Sequence, residues 1–221
     1  YLTYDTSVDY PTTTGTLDTN VPIDVEILSW PTSFSSGSPL DFQQFLADND
    51  SPGGILGIGD SANDAGPGTS PLESAGFDGV TVDIPQNELV VGSNAGTPIV
   101  TSAPLDGAPT PTTDLTETVT TSSGTVVGTG SVSDDIDSGG VYGTIPSSID
   151  SSTLAQGDVV TVKDGDTVLY QYTVGTDSDG TDEAPTVVSG SDIDSGVEPY
   201  LLGPIFIDYS NDTLSFDDTL S

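Results

Sequence analysis

Apolar residues in this chain come in short, mostly β-branched runs, and nearly every run is cut off by Gly, Pro, Asn or Asp. That punctuation fits strands and turns, while the i, i+3, i+4 spacing of a long amphipathic helix is almost absent. The pattern predicts strands over 21–28, 79–84, 88–91, 124–128, 201–207 and 213–216. It also predicts a hairpin in which Val159-Val160-Thr161-Val162-Lys163 turns at Asp164-Gly165 and returns over 166–174. Asp-Gly suits the positive φ angles of a tight two-residue turn. One short helix is expected at Leu40-Asp41-Phe42-Gln43-Gln44-Phe45-Leu46, after Pro39. The expected class is therefore all-β.

The stretch 94–114 is loose and carries Pro98, Pro104, Pro109 and Pro111. A boundary near residue 107 divides the chain into 1–107 and 108–221, each about the size of a small β lobe. Two apolar-apolar-Gly triplets, Ile55-Leu56-Gly57 and Leu201-Leu202-Gly203, fall one in each part and hint at an internal repeat.

Charge changes the picture. Among 221 residues there are 35 acids against one base, Lys163, a net charge of −34. Phosphates would be repelled, which excludes nucleic acid as a direct partner, and an anionic membrane surface is disfavoured for the same reason. High salt screens such a surface and low pH neutralises it. The setting expected from this is secreted, cell-surface or cell-wall associated. No apolar run is long enough to span a bilayer, so membrane insertion is not expected. No signal peptide is found, and a chain opening on Tyr1 is expected to be a mature or truncated product.

The chain has no Cys and no His. That removes disulfides, thiol chemistry, Ser-His-Asp catalysis and imidazole metal sites. Carboxylates are left as the natural acid–base groups, with no cofactor expected. Asp177, Asp179, Asp182 and Glu183 alternate around Gly180 as calcium ligands can. The bidentate Glu of an EF-hand loop is missing, so a solvated acidic loop is expected there and no metal site.

One segment concentrates chemistry: Asp134-Asp135-Ile136-Asp137-Ser138-Gly139-Gly140, continuing to Ile145-Pro146-Ser147. A Gly after the Ser permits a sharp backbone turn that leaves amides free for a carboxylate. The segment resembles the second active-site loop of pepsin-like aspartic proteases. That family has an apolar residue, Asp, Thr or Ser, and Gly, then an apolar-Pro pair opening a short helix. Ser51-Pro52-Gly53-Gly54-Ile55-Leu56-Gly57-Ile58-Gly59 is similar to the Gly-Ile-Leu-Gly run of the family's first lobe. Glu88-Leu89-Val90-Val91-Gly92 resembles the strand that follows it. Tyr200-Leu201-Leu202-Gly203-Pro204-Ile205-Phe206-Ile207 resembles the closing strand of its second lobe. Tyr1-Leu2-Thr3-Tyr4, Ser29-Trp30-Pro31 and Thr186-Val187-Val188-Ser189-Gly190 bring the chain closest to the protease domain of mycobacterial PE and PE-PGRS proteins.

The resemblance implies a bilobal pepsin-like fold and peptide-bond hydrolysis by two carboxylates sharing a proton. Asp137 would be one of them, supported by Ser138 and Gly139. Tyr4 would be the flap tyrosine, and Ile55, Leu56, Gly57, Leu201, Leu202 and Gly203 would thread beside the catalytic loops. In the family the first lobe's Asp precedes the flap. Asp5-Thr6-Ser7 lacks the Gly and lies too near Ile55 to be it. The N-terminal lobe is thus expected to be incomplete, and an upstream segment to supply the first catalytic Asp. The chain alone would be inactive, and its substrate as part of the enzyme would be a protein or peptide. Ile193-Asp194-Ser195-Gly196 nearly copies the Asp137 motif, and Asp194 is expected to line the cleft. The rival reading is a catalytically inactive acidic surface or binding protein with a protease-like fold; a calcium-stabilised adhesin-like domain is a third.

Overall fold

The computed structural model describes residues 2–12, 15–25, 28–29, 40–41, 58–59, 70–94, 96, 98–102, 115–138, 142–176, 182–211 and 213–217. The chain divides into two compact units, 1–76 and 77–221. The boundary expected near 107 lies outside the described residues.

In the first unit, β1 (Leu2–Thr12) and β2 (Gly15–Val25) form a long antiparallel hairpin in which Tyr4 pairs with Ile23. Of the strand expected over 21–28, residues 21–25 are the end of this longer β2 and Leu28 opens β3. Strand β3 (Leu28–Ser29) pairs with β4 (Leu40–Asp41). The helix expected from Leu40 therefore does not begin there, because the backbone groups of Leu40 and Asp41 are taken by a neighbouring strand; 42–46 lie outside the described residues. Helix α1 (Pro71–Ser74) is capped by Ser70, whose side chain accepts from Glu73 N–H at 3.0 Å, with Pro71 in the first turn.

The second unit holds two five-stranded sheets. Strands β5 (Gly79–Asp83) and β6 (Glu88–Val91), both expected as strands, pair as a hairpin, and β7 (Pro98–Ser102) follows. They join β17 (Ile205–Asp208) and β18 (Thr213–Asp217) in the antiparallel order β6-β5-β17-β18-β7. Every residue of β5 is buried, so both faces of that strand are covered.

The other sheet has the order β12-β11-β8-β9-β16. Its members are β8 (Leu115–Thr120), β9 (Val126–Asp135), β11 (Val159–Asp164), β12 (Thr167–Thr173) and β16 (Asp192–Asp194). Alternation sets the buried face: Leu115, Glu117 and Val119 on β8, Val160 and Val162 on β11, Tyr170 and Tyr172 on β12, Val132 and Asp134 on β9. Each large apolar side chain buried there contributes about 1.5–3 kcal/mol. The β11–β12 hairpin turns at Gly165 (φ 57°) and Asp166, one residue later than expected. A bulge beyond Val162 brings Tyr170 opposite it.

Smaller pairs complete the unit. Strand β10 (Thr144–Pro146) runs parallel to β15 (Thr186–Val188), and β13 (Gly175–Thr176) pairs with β14 (Asp182–Glu183). The helix expected to start at Ile145-Pro146-Ser147 is absent. The ladder with β15 takes Ile145, and a single turn follows, in which Ile149 N–H donates to Pro146 O at 2.9 Å. The strand expected over 201–207 is also corrected. Helix α2 (Glu198–Leu202) occupies its first part, and β17 begins only after Pro204. Pro199 sits in the first turn of α2, where its missing N–H costs nothing. Among the described residues no helix is long and apolar enough to cross a membrane.

Candidate active site

Strand β9 delivers the Asp137 loop. Val132, Asp134 and Ile136 point into the core, Ile136 is fully buried, and Asp137 emerges half-buried just beyond. The exposed flank of this strand end is closed by β16, which runs parallel to it in the register Ser133↔Asp192, Asp134↔Ile193, Asp135↔Asp194. Ser133 N–H donates to Ser191 O at 2.9 Å, and Ser195 N–H donates to Asp135 O at 2.8 Å.

The contacts then pass from main chain to side chain. The Asp137 amide donates to Ser195 Oγ at 3.3 Å, and the Ser195 hydroxyl donates to Gly196 O at 2.9 Å. The Tyr200 hydroxyl, on buried α2, donates to Ile136 O at 2.9 Å. The carbonyl and the amide of the single Ile136–Asp137 peptide group are thus each held by a side chain.

Asp194 is anchored in turn. Its amide donates to Thr144 Oγ1 at 2.8 Å, and its Oδ1 accepts from Gly196 N–H at 2.7 Å. Gly143 lies against this turn with φ 68°, and a Cβ there would sit 2.3 Å from Asp194 O. Only glycine fits that position, for both reasons. Three segments therefore converge: 135–138, 143–144 and 194–196.

The local field is acidic. Burial raises the Asp194 carboxyl above its ordinary value; the charges of Asp137 and Asp135 add to this, and Gly196 N–H opposes it. Beneath the loop, burial pushes Asp134 well up, the Tyr170 hydroxyl opposes it, and the charges of Glu117, Asp135 and Asp194 add to the rise. Glu117, in the same core face, is pushed up to about 8 by burial. The Tyr200 hydroxyl is raised by burial and by the charges of Asp137 and Asp134.

Of the residues singled out from sequence, Asp137 and Asp194 come together, with Ser138 half-buried beside Asp137. Gly139 and the triplet Ile55, Leu56, Gly57 lie outside the described residues, as do 177–181 of the acidic loop. Tyr4 is on the β1–β2 hairpin of the first unit. Leu201 and Leu202 are 48% and 55% exposed on α2, and Gly203 caps its end. The strand running beside the end of β9 is Asp192–Asp194, and Leu201 and Leu202 lie on α2 between Pro199 and Pro204. Sequence reasoning missed Thr144, Ser195 and Tyr200. The near-copy Ile193-Asp194-Ser195-Gly196 was the available signal for Ser195. Among the described residues no group of three or more carboxylates is placed to hold a metal ion.

The sequence matches the PE-PGRS C-terminal aspartyl peptidase-like domain over residues 1–216. The chain belongs to that family. Within it, the chain is similar to PE cleavage protein A of Mycobacterium tuberculosis, strains CDC 1551 / Oshkosh and ATCC 25618 / H37Rv. It is 33% identical to each over 237 residues, covering 95% of this chain and 37% of the relative. The all-β architecture is thus that of an aspartyl peptidase-like domain, and the chain spans only 37% of these relatives' length.

Proposed function

We propose that this chain is part of an aspartic endopeptidase and that Asp137 is one of its two catalytic carboxylates. The observation that carries this reading is the support of the Ile136–Asp137 main chain by Ser195 and Tyr200 in a peptidase-like family member. A carboxylate that must accept or deliver a proton at one fixed point gains from such a held backbone.

In this reading one carboxylate takes a proton from water, whose oxygen attacks the peptide carbonyl carbon. The other, protonated, gives its proton to the carbonyl oxygen. Collapse of the tetrahedral diol breaks the C–N bond, and the amine leaves with a proton. In the family arrangement Ser138 would support the loop and Tyr4 would be the flap tyrosine. The second Asp is carried by an N-terminal segment of the longer protein, as the family arrangement requires.

The relatives' name, PE cleavage protein A, supports a protein substrate of the PE type, and the charge of −34 supports a surface or wall location. The test is peptide cleavage by the full-length protein between pH 3 and 7, with pepstatin and with Asp137→Asn. Cleavage that survives both sinks the proposal.

A further inference from the structure

We infer that the turn formed by Asp194, Ser195 and Gly196 is a positioning element of the active site. Ser195 fixes the Asp137 main chain through its hydroxyl, and Asp194 sets the charge that the Asp137 carboxylate faces. The inference rests on the reading of Asp137 as a catalytic carboxylate.

Hydroxyl chemistry gives Ser195 its direction. A hydroxyl has one proton to donate and two lone pairs. The Ser195 proton goes to Gly196 O at 2.9 Å, so Oγ presents a lone pair to the Asp137 amide at 3.3 Å. Ser195 is 4% exposed, which removes water as a substitute acceptor. Its own amide is tied to Asp135 O at 2.8 Å, so the side chain starts from a fixed point on the ladder between β16 and β9. A movement of the turn is therefore a movement of Asp137. Small displacements of a reacting group cost rate steeply.

Asp194 stands at the same turn, its carboxylate held by Gly196 N–H and its amide by Thr144 Oγ1. The titratable groups that act on it are Asp137, Asp135 and Asp134 on or after β9; none of them is a cation. Like charges at short range favour the protonated form of each carboxyl. Asp194 thus adds a negative charge beside the Asp137 carboxylate, and its own carboxyl is raised by burial and, to a lesser degree, by the charges of Asp137 and Asp135.

The experiment pairs kinetics with NMR. In the full-length protein, kcat/KM and its pH profile are measured for a fluorogenic peptide that the unaltered protein cleaves. Variants are Asp137→Asn, Ser195→Ala, Ser195→Thr and Asp194→Asn. In the same variants of the isotopically labelled full-length protein, the Asp137 amide resonance is followed. Ser195→Ala is expected to lower kcat/KM on the order of tenfold and to move the Asp137 amide upfield, with Ser195→Thr restoring both. Asp194→Asn, whose side-chain oxygen still accepts from Gly196, removes one negative charge beside Asp137 and is expected to alter the acid limb of the kcat/KM pH profile. If Asp137→Asn abolishes cleavage while the Ser195 and Asp194 variants leave rate, pH limb and Asp137 resonances in place, the positioning role is overturned and the catalytic reading stands. Cleavage that persists in Asp137→Asn overturns the catalytic reading itself. Should Ser195→Ala fail to fold, Asp194→Asn and Ser195→Thr still decide.

Discussion

The Tyr170 hydroxyl on β12 donates to Asp134 on β9 at 2.5 Å, directly beneath the strand end that carries Asp137. The other oxygen of this fully buried carboxyl has no hydrogen-bond partner among the described residues. Tyr170→Phe removes the only donor described for that group. The expected result is a loss of about 1–3 kcal/mol in unfolding free energy, measured by urea denaturation with an unchanged slope. Because the Tyr170 hydrogen bond opposes the rise of the Asp134 pKa, the loss should be larger at pH 7 than at pH 4.

Glu117 makes stability pH-dependent in a definite direction. Its carboxyl is raised from 4.5 to about 8 in the folded chain. A group raised on folding contributes fully below its unfolded value, and the contribution is lost as pH climbs through the folded one. The second unit should therefore be most stable in acid and lose up to about 3 kcal/mol between pH 4.5 and 7 from this residue. Buried Asp134 acts in the same direction. Urea midpoints across pH 4–8 check this, and Glu117→Gln should flatten the profile. A profile with the same slope in Glu117→Gln would remove Glu117 as its source.

Gly143→Ala confronts two obstacles at once, a left-handed backbone at φ 68° and a Cβ placed 2.3 Å from Asp194 O. A loss of roughly 2–4 kcal/mol in stability is expected from the combined strain and displacement. The Asp194 amide resonance should move with it, since the neighbouring Thr144 Oγ1 is its acceptor. Gly190→Ala makes a useful control: its φ is 114° but no atom lies within 4 Å of the added carbon. It should cost less and leave Asp194 alone.

With 35 acids against one base, the folded chain repels itself at neutral pH. Raising salt from 0.05 to 1 M shortens the screening length from above 10 Å to about 3 Å. The melting temperature should rise with sodium chloride at pH 7 and respond much less at pH 4. Equal responses at the two pH values would show that screening of carboxylates is not the cause.

Much of this fold could be read locally. The Gly79-Val80-Thr81-Val82-Asp83 run needed only its β-branched residues and the following Pro85, and the Asp-Gly signal found the β11–β12 hairpin though not its register, which turns one residue later. The Asp137 loop stood out because its residue types are interpretable together. What stayed hidden was non-local. Nothing near Ser195 announces that β16 will lie parallel to β9, since a parallel ladder joins segments far apart in sequence. Apolar residues from Leu201 to Ile207 read as one strand, yet Pro199 and Pro204 divide them between helix and sheet. Glu117 sits at an inward position of an alternating strand, where packing overrode its charge.

The sheet β6-β5-β17-β18-β7 interleaves strands from both ends of the second unit. Val80 and Ile207 pair across one seam, Val100 and Phe216 across another. A ribosome must therefore release the final strands before this unit can finish folding. Once it has folded, a single backbone cut anywhere between residues 102 and 205 leaves two fragments still stitched together by those seams. Processing of the polypeptide and dissociation of its pieces are separate events in such a design.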